Sequence, residues 1–352
     1  MVVLEELEAQ LAKTPRDASL FAVYADLLAK HDDPRGELIS IVLALESDPG
    51  NATLRARANA LHEEHDATWL GPLTNPQIVV RWRRGFVDSV SFGGRVPALD
   101  VDEVVELYRA MRARPICGLV RSLSFGPLLD DSDEPDFSEI VEAIASEGAA
   151  HTVRRLAFIS GAWDPSACRA DSLAPLYAVV PKLHALRVEM QCSFGAAVEL
   201  PNLRELDIYA SEVADLGPIA VAPWSKLRSL ALRYRIDEST SLDNPPHAVL
   251  GRSFAALSRL AVTDWIDGDD FVRQLADAPW ARQLRTLDLT SCRLSDAVVD
   301  SITAEHSALR GLEHLVVSGT GISRDALAAL RAVVPTDYAE SGSARFAHAL
   351  DE

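Results

Sequence analysis

The chain has 352 residues, with 34 Lys and Arg against 52 Asp and Glu and a formal charge of -18. Its 48% hydrophobic and 24% charged content supplies a core and excludes wholesale disorder, and the length corresponds to about two domains or one elongated array. The acidic mean field repels phosphate, which excludes the chain as a nonspecific binder of nucleic acid or anionic membrane.

The N-terminus, MVVLEELEAQLAK, carries Glu5, Glu6 and Glu8 where a secretory signal has a basic start and an apolar run. No stretch reaches the roughly 18 uncharged apolar residues of a membrane span, so a cytoplasmic protein is expected. Leu4, Leu7 and Leu11, then Leu20, Phe21, Tyr24, Leu27 and Leu28, recur at helical spacings, and Pro15 and Asp17 separate the two helices. Pro34 ends the second helix. A third is predicted from about Arg35 to Glu46 and, after Asp48-Pro49-Gly50-Asn51, a fourth to about Trp69. Residues 1–72 therefore read as a small all-α module.

Beyond Gly71-Pro72 the period changes. An apolar-x-x-apolar-x-apolar string recurs as VDSVSF (87–92), VRSLSF (120–125), VRRLAF (153–158), LHALRV (183–188), LRELDI (203–208), LRSLAL (227–232), LSRLAV (257–262), LRTLDL (284–289) and LEHLVV (312–317). Successive starts lie 20 to 33 residues apart, the spacing of a solenoid of supersecondary units. The fourth and sixth positions point to one side of a short strand and the residue between them to the other. One such strand cannot bury its apolar side alone, whereas parallel stacking on the next copy builds a continuous core. Residues 101–113, 137–146 and 295–306 have helical spacing for the return path, and the short units around Pro201, Pro218 and Pro223 are expected to return as irregular or 3₁₀ segments.

The segment from Leu284 to Leu294 reads L-x-x-L-x-L-x-x-C-x-L with Cys292 at its ninth position, and the segment from Leu312 to Ile322 repeats the frame with Thr320 there. This frame resembles leucine-rich repeat proteins. The resemblance implies an α/β solenoid over about 77–336, a horseshoe with a parallel β-sheet on its concave face, and a polar tail (337–352) whose fragment from Arg345 to Leu350 is expected to cap the last repeat. The first module carries Tyr24-Ala25-Asp26, then Asp33-Pro34-Arg35-Gly36-Glu37, then Arg84-Gly85-Phe86 at the entry to the repeats. These resemble the helical companion domain that certain bacteria place before repeats. Leu27 stands where that family usually has Trp, and the resemblance brings no assigned activity.

Catalytic motifs are absent: there is no GxSxG, HExxH, GxxxxGK[ST] or helix-opening GxGxxG. Cys117, Cys168, Cys192 and Cys292 form no CxxC pair and read as buried reduced thiols rather than a zinc site or disulfide framework. The acidic runs Asp130, Asp131, Asp133, Glu134, Asp136 and Asp264, Asp267, Asp269, Asp270 lack calcium-loop spacing and read as solvated loops and helix caps. No metal or cofactor is expected.

The exposed motif positions carry Arg121, Arg154, Arg155, Arg187, Arg204, Arg228, Arg259 and Arg285 against Asp88, Glu205, Asp207, Asp288 and Glu313, a net of +3 on a chain of -18. Such arginines either cover apolar surface with their stems or engage a partner with their forks. Midway along the array the small exposed residues give way to Arg187, Glu189, Glu205, Asp207, Tyr209, Arg233 and Tyr234, residue types that dominate binding hot spots. This cluster is the expected partner-binding centre. The expected function is non-catalytic recognition of a protein, acidic on its contact surface, with neither nucleic acid nor membrane as partner. The alternatives are an adaptor subunit for a separately encoded enzyme and an enzyme with its site in the helical module.

Overall fold

The computed structural model describes residues 2–94, 99–128, 135–148, 150–161, 165–213, 215–234, 245–251 and 254–338. The chain divides into two compact units, Met1–Arg169 with Ala178–Leu183, and Ala170–Tyr177 with His184–Glu352.

The first unit opens with helices α1 (Val2–Lys13), α2 (Ala18–Ala29), α3 (Arg35–Ser47) and α4 (Ala52–Leu70), close to the predicted bounds. Asp17 caps α2 by accepting from the Ser19 and Leu20 N–H groups, and Asn51 caps α4 by accepting from Leu54 N–H. The α2–α3 turn uses a left-handed Asp32 (φ 56°) and an Asp33 carboxylate that accepts both the Arg35 N–H, at 2.9 Å, and its guanidinium Nε. A Cβ on Gly36 would lie 2.6 Å from the Ala25 carbonyl oxygen and 2.8 Å from the Ala29 nitrogen. The glycine therefore lets α3 cross the α2 backbone in direct contact.

Strands β1 (Ile78–Arg83) and β2 (Phe86–Phe92) form an antiparallel hairpin whose two-residue loop is Arg84-Gly85, both left-handed at φ 49° and 73°. Such a loop matches the twist of the strands it joins. The repeat pattern does not contain β1, and Arg84-Gly85 is not one of the Asn-Gly or Asp-Gly pairs that announce such a hairpin. Phe86 enters the core of α1–α3 beside Leu11, Phe21, Tyr24, Leu28 and Ile39, with its ring 6.0 Å from Phe21 and 5.5 Å from Tyr24. Arg84 lies over the Phe21 ring at 5.2 Å and forks the Glu46 carboxylate at 2.6 and 2.8 Å. The first and third sequence signatures thus share one core through Tyr24, Ala25 and Phe86, and Gly36 of the second packs against the α2 backbone beside it.

After β2 come α5 (Val101–Arg112), β3 (Ser122–Phe125), α6 (Ser138–Ser146) and β4 (Arg155–Phe158). Asp100 and Glu103 form a capping box on α5. Strands β2, β3 and β4 are parallel, with Val90, Leu123 and Leu156 in register and Phe92, Phe125 and Phe158 behind them. The three phenyl rings stack at 5.2 and 5.7 Å, a spine at the last motif position.

The second unit has, from Ala170 onward, a two-stranded sheet of β5 (Arg169–Ser172) and β7 (Gln191–Ser193), which the sequence pattern does not signal. Its larger sheet runs in the order β6 (Ala185–Val188), β8 (Glu205–Tyr209), β9 (Ser229–Arg233), β10 (Arg259–Thr263), β11 (Thr286–Asp288), β12 (His314–Val316) and β13 (Thr336–Asp337), all parallel. Leu186, Leu206, Leu230, Leu260, Leu287 and Leu315 pair in one buried row. At the ninth motif position the Cys292 thiol donates to the Val262 carbonyl at 3.1 Å and the Thr320 hydroxyl to that of Val317 at 2.8 Å.

The returns are α7 (Gly217–Val221), α8 (Gly268–Asp277), α9 (Val298–Thr303) and α10 (Arg324–Arg331). The predicted helix at 295–306 shrinks to α9, because Ser295 and Asp296 are drawn into bonds with Asp269 and Ser323. α8 begins within the second acidic run: Asp269 and Asp270 occupy its first turn, favourable against the helix dipole, while Phe271, Val272 and Leu275 are buried. Of the first acidic run, Asp136 accepts from the Ser138 N–H at the start of α6 and pairs with Arg169 at 3.0 Å, and Asp130, Asp131, Asp133 and Glu134 lie outside the described residues. The proposed C-terminal cap, Arg345 to Leu350, also lies outside them.

Gly36→Ala is expected to lower stability by about 1–3 kcal/mol, because overpacking against backbone atoms exceeds the roughly 1 kcal/mol gained in helix propensity. Gly50→Ala, whose Cβ would meet nothing nearer than 3.7 Å, should change it by less than about 0.5 kcal/mol. Urea midpoints of the two variants check this.

Candidate functional site

Alternation along the strands of the second unit turns Ala185 and Arg187, Glu205, Asp207 and Tyr209, and Ser229, Ala231 and Arg233 to the sheet face opposite the leucines. Register places Arg187 beside Asp207 and Tyr209 beside Arg233. These neighbours interlock. Arg187 Nε donates to Glu189 Oε1 at 2.8 Å and lies 3.8 Å from Asp207 Oδ2. Arg233 donates to Asp207 and stands 3.7 Å from Glu189 Oε1. Two guanidiniums and two carboxylates thus alternate in a closed network that spans β6, β8 and β9. Burial disfavours the Arg233 charge, but the Asp207 and Glu189 carboxylates outweigh it and raise the guanidinium above its ordinary range. The Arg233 guanidinium carbon also lies 5.8 Å from the centre of the Tyr209 ring.

The carboxylates are the buried members, Glu189 at 6% and Asp207 at 8% exposure, while Arg187 and Arg233 remain partly open. Taking two carboxylates out of water offsets much of the Coulombic gain, so the network contributes position more than stability. Glu205 is exposed on the neighbouring row of β8. Tyr234 is a correction to the expected contact set. The strand period turns the residue after Arg233 to the core face, where Tyr234 is 4% exposed, its ring 4.7 Å from Trp265 and its phenol pushed up by burial.

The arginine row divides by environment. In the first unit Arg121 forks Asp88 at 2.5 and 2.9 Å, and Arg154 donates to the carbonyls of His151, Thr152 and Val153. Those two are structural. In the second unit Arg204 and Arg228 are exposed, and Arg285 pairs with exposed Glu313 at 2.5 Å.

Two further carboxylates depart from the sequence expectation, which made Asp288 an exposed strand acid and Asp264 part of a solvated loop. Asp288 is 2% exposed and accepts from the Thr290 N–H at 2.9 Å and hydroxyl at 2.6 Å. Burial pushes its carboxyl up despite those bonds, and the Asp264 charge adds to the effect. Asp264, left-handed at φ 61°, is likewise raised by burial against hydrogen bonds from Thr263 and Ser291. The available signal was Asp288 at the same motif position as Asp207. Burial also pushes the Cys117, Cys192 and Cys292 thiols up to about 12, which makes them poor nucleophiles. Among the described residues no three His, Cys, Asp or Glu side chains are grouped to hold a metal ion, and no helix is long and apolar enough to cross a membrane.

Asp207→Asn leaves two facing guanidiniums with one carboxylate, and a loss of about 2 kcal/mol is expected, below the range for fully buried pairs. Pairing it with Arg233→Met should recover at least about 1 kcal/mol in a double-mutant cycle read by urea denaturation. Asp288 binds its proton more tightly folded than unfolded, so its ionisation costs stability above the folded pKa and that cost vanishes below the ordinary carboxylate range. Asp288→Asn should therefore raise the urea midpoint at pH 7, with the gain shrinking toward pH ~4.

No protein-family profile and no curated protein matches the chain. Among solved structures it is similar to a Bacteroides fragilis protein, at 18% identity and TM-score 0.57 over 69% of this chain and 73% of that one. It also aligns with an internalin of Listeria monocytogenes, at 15% identity and TM-score 0.31 over 69% of this chain and 65% of that one. Internalin C2 of the same organism gives 11% identity and TM-score 0.31 over 72% and 81%. The chain shares its fold with the Bacteroides fragilis protein.

Proposed function

We propose that the chain is a leucine-rich repeat protein whose concave sheet face binds a protein partner without performing chemistry on it. The observation that carries this reading is the Arg187–Glu189–Asp207–Arg233 network with Tyr209 beside it. Side chains already held in one geometry lose little conformational freedom on binding, and Tyr and Arg supply large, directed contact area. The contact centre is Arg187, Glu205, Tyr209 and Arg233, with Glu189 and Asp207 holding the two arginines. Its charges are largely matched internally, so the acidic partner surface meets exposed arginines beside this centre. The four buried thiols fit a reducing, cytoplasmic compartment.

Residues 1–72 are read as the bacterial repeat-companion module, 77–336 as the repeats and 337–352 as the tail. The reading of the first module is supported by its core, in which Tyr24, Gly36 and Phe86 serve one packing arrangement.

The test begins with a partner retained by the full chain from native host extract and identified by mass spectrometry. Tyr209→Ala, which leaves the ion network in place, should weaken that partner's Kd at least about tenfold, equivalent to ~1.4 kcal/mol. An unchanged Kd for both Tyr209→Ala and Arg187→Ala, measured by titration calorimetry, rejects the site.

A further inference from the structure

We infer that the leading ends of β8, β9 and β10 form a docking rim for an acidic helix of the partner, with Arg204 and Arg228 as the carboxylate forks. This rests on the reading of the sheet face as a protein-binding surface and names the chemistry that the partner presents there.

Backbone bonding fixes the rim. The Arg204 carbonyl accepts the N–H groups of Arg228 (2.7 Å) and Ser229 (3.0 Å), and the Arg228 carbonyl accepts those of Ser258 (3.0 Å) and Arg259 (2.9 Å). The arginines therefore leave the chain from equivalent points on adjacent strands, about 4.8 Å apart. Both are exposed, and among the described residues neither side chain makes a hydrogen bond or ion pair. Arg121 and Arg154, at the same motif position in the first unit, use their forks on Asp88 and on backbone carbonyls. Motif position alone thus does not account for two open forks side by side. Exposed Arg259 on β10 and Lys226, bonded to Asn202 at 2.6 Å, extend the positive zone, with Glu205 as the acid within it.

Two neighbouring guanidiniums without a described counter-ion repel each other, and incoming carboxylates relieve that repulsion through paired N–H···O bonds. The spacing selects the form of the acidic segment. Glutamates three and four apart on a helix stand about 5–6 Å from one another, near the strand-to-strand distance. Alternate residues of an extended segment are about 6.7 Å apart, and the mismatch grows with each strand crossed. A helix lying across the strands is the form that fits.

Three labelled peptides of equal length and net charge test this against the full chain by fluorescence anisotropy. One is an alanine-rich helix with glutamates at i, i+3 and i+7, the second spreads the same glutamates around the helix, and the third breaks the first with proline. The first should bind at least about tenfold more tightly than the others. Arg204→Ala/Arg228→Ala should remove that preference, Arg204→Lys/Arg228→Lys should reduce it at unchanged charge, and Arg285→Ala should leave it intact. Equal binding of the three peptides, or a preference untouched by the double alanine variant, overturns the proposal. The same double variant, measured with the natural partner, separates the two readings: sensitivity to Tyr209→Ala without sensitivity at the rim rejects the rim and leaves the face standing.

Discussion

In the second unit, the residue just ahead of β6, β8, β9, β10 and β11 offers its carbonyl to two N–H groups of the next repeat. His184 holds Arg204 and Glu205, Arg204 holds Arg228 and Ser229, Arg228 holds Ser258 and Arg259, Ser258 holds Arg285 and Thr286, and Arg285 holds Glu313 and His314. Backbone polar groups at a buried strand edge must find partners, and a strand of three to five residues has none of its own. This ladder fixes the register. Register in turn sets the leucine row on one face and the charged row on the other, since a slip of one residue would exchange the two faces.

The helical module obeys a tighter version of the same steric logic. Gly36 permits backbone contact between α2 and α3, and a Cβ at Gly85 would meet Ile39 Cγ1 at 2.4 Å. Phe86 then fills the space between Phe21 and Tyr24. The first repeat strand is thereby a component of the module's core, and the hairpin β1–β2 gives that strand an antiparallel neighbour on the side where no earlier repeat exists. Such pairing covers an edge that would otherwise present open hydrogen-bonding groups.

Net charge is a poor guide to the local surface. The chain carries -18 overall, yet the middle of the charged face is a near-neutral network whose two arginines and two carboxylates answer one another. Arg204 and Arg228 stand outside that balance. An arginine's role depends on whether an acid or a free carbonyl lies within reach of its fork, which identical motif positions do not decide: Arg121 finds Asp88, and Arg204 and Arg228 find no partner among the described residues.

The repeat strands, the first four helices, the buried cysteines and the charged cluster on β6, β8 and β9 were legible in the amino-acid sequence, because each is written in local periodicity or residue type. Tyr234 was misplaced because the strand period continues one residue beyond the motif and turns that ring inward. β1, the small β5–β7 sheet and the shortened α9 escaped because they depend on what lies across from them. The pairing of Arg187 and Arg233 with Glu189 and Asp207, and the burial that raises Asp264 and Asp288, escaped for the same reason. Sequence determined which side chains share a face; tertiary structure decided which of them are neutralised there, because charge pairing is set by distances between strands 20 to 30 residues apart in the chain and only stacking in register fixes those distances.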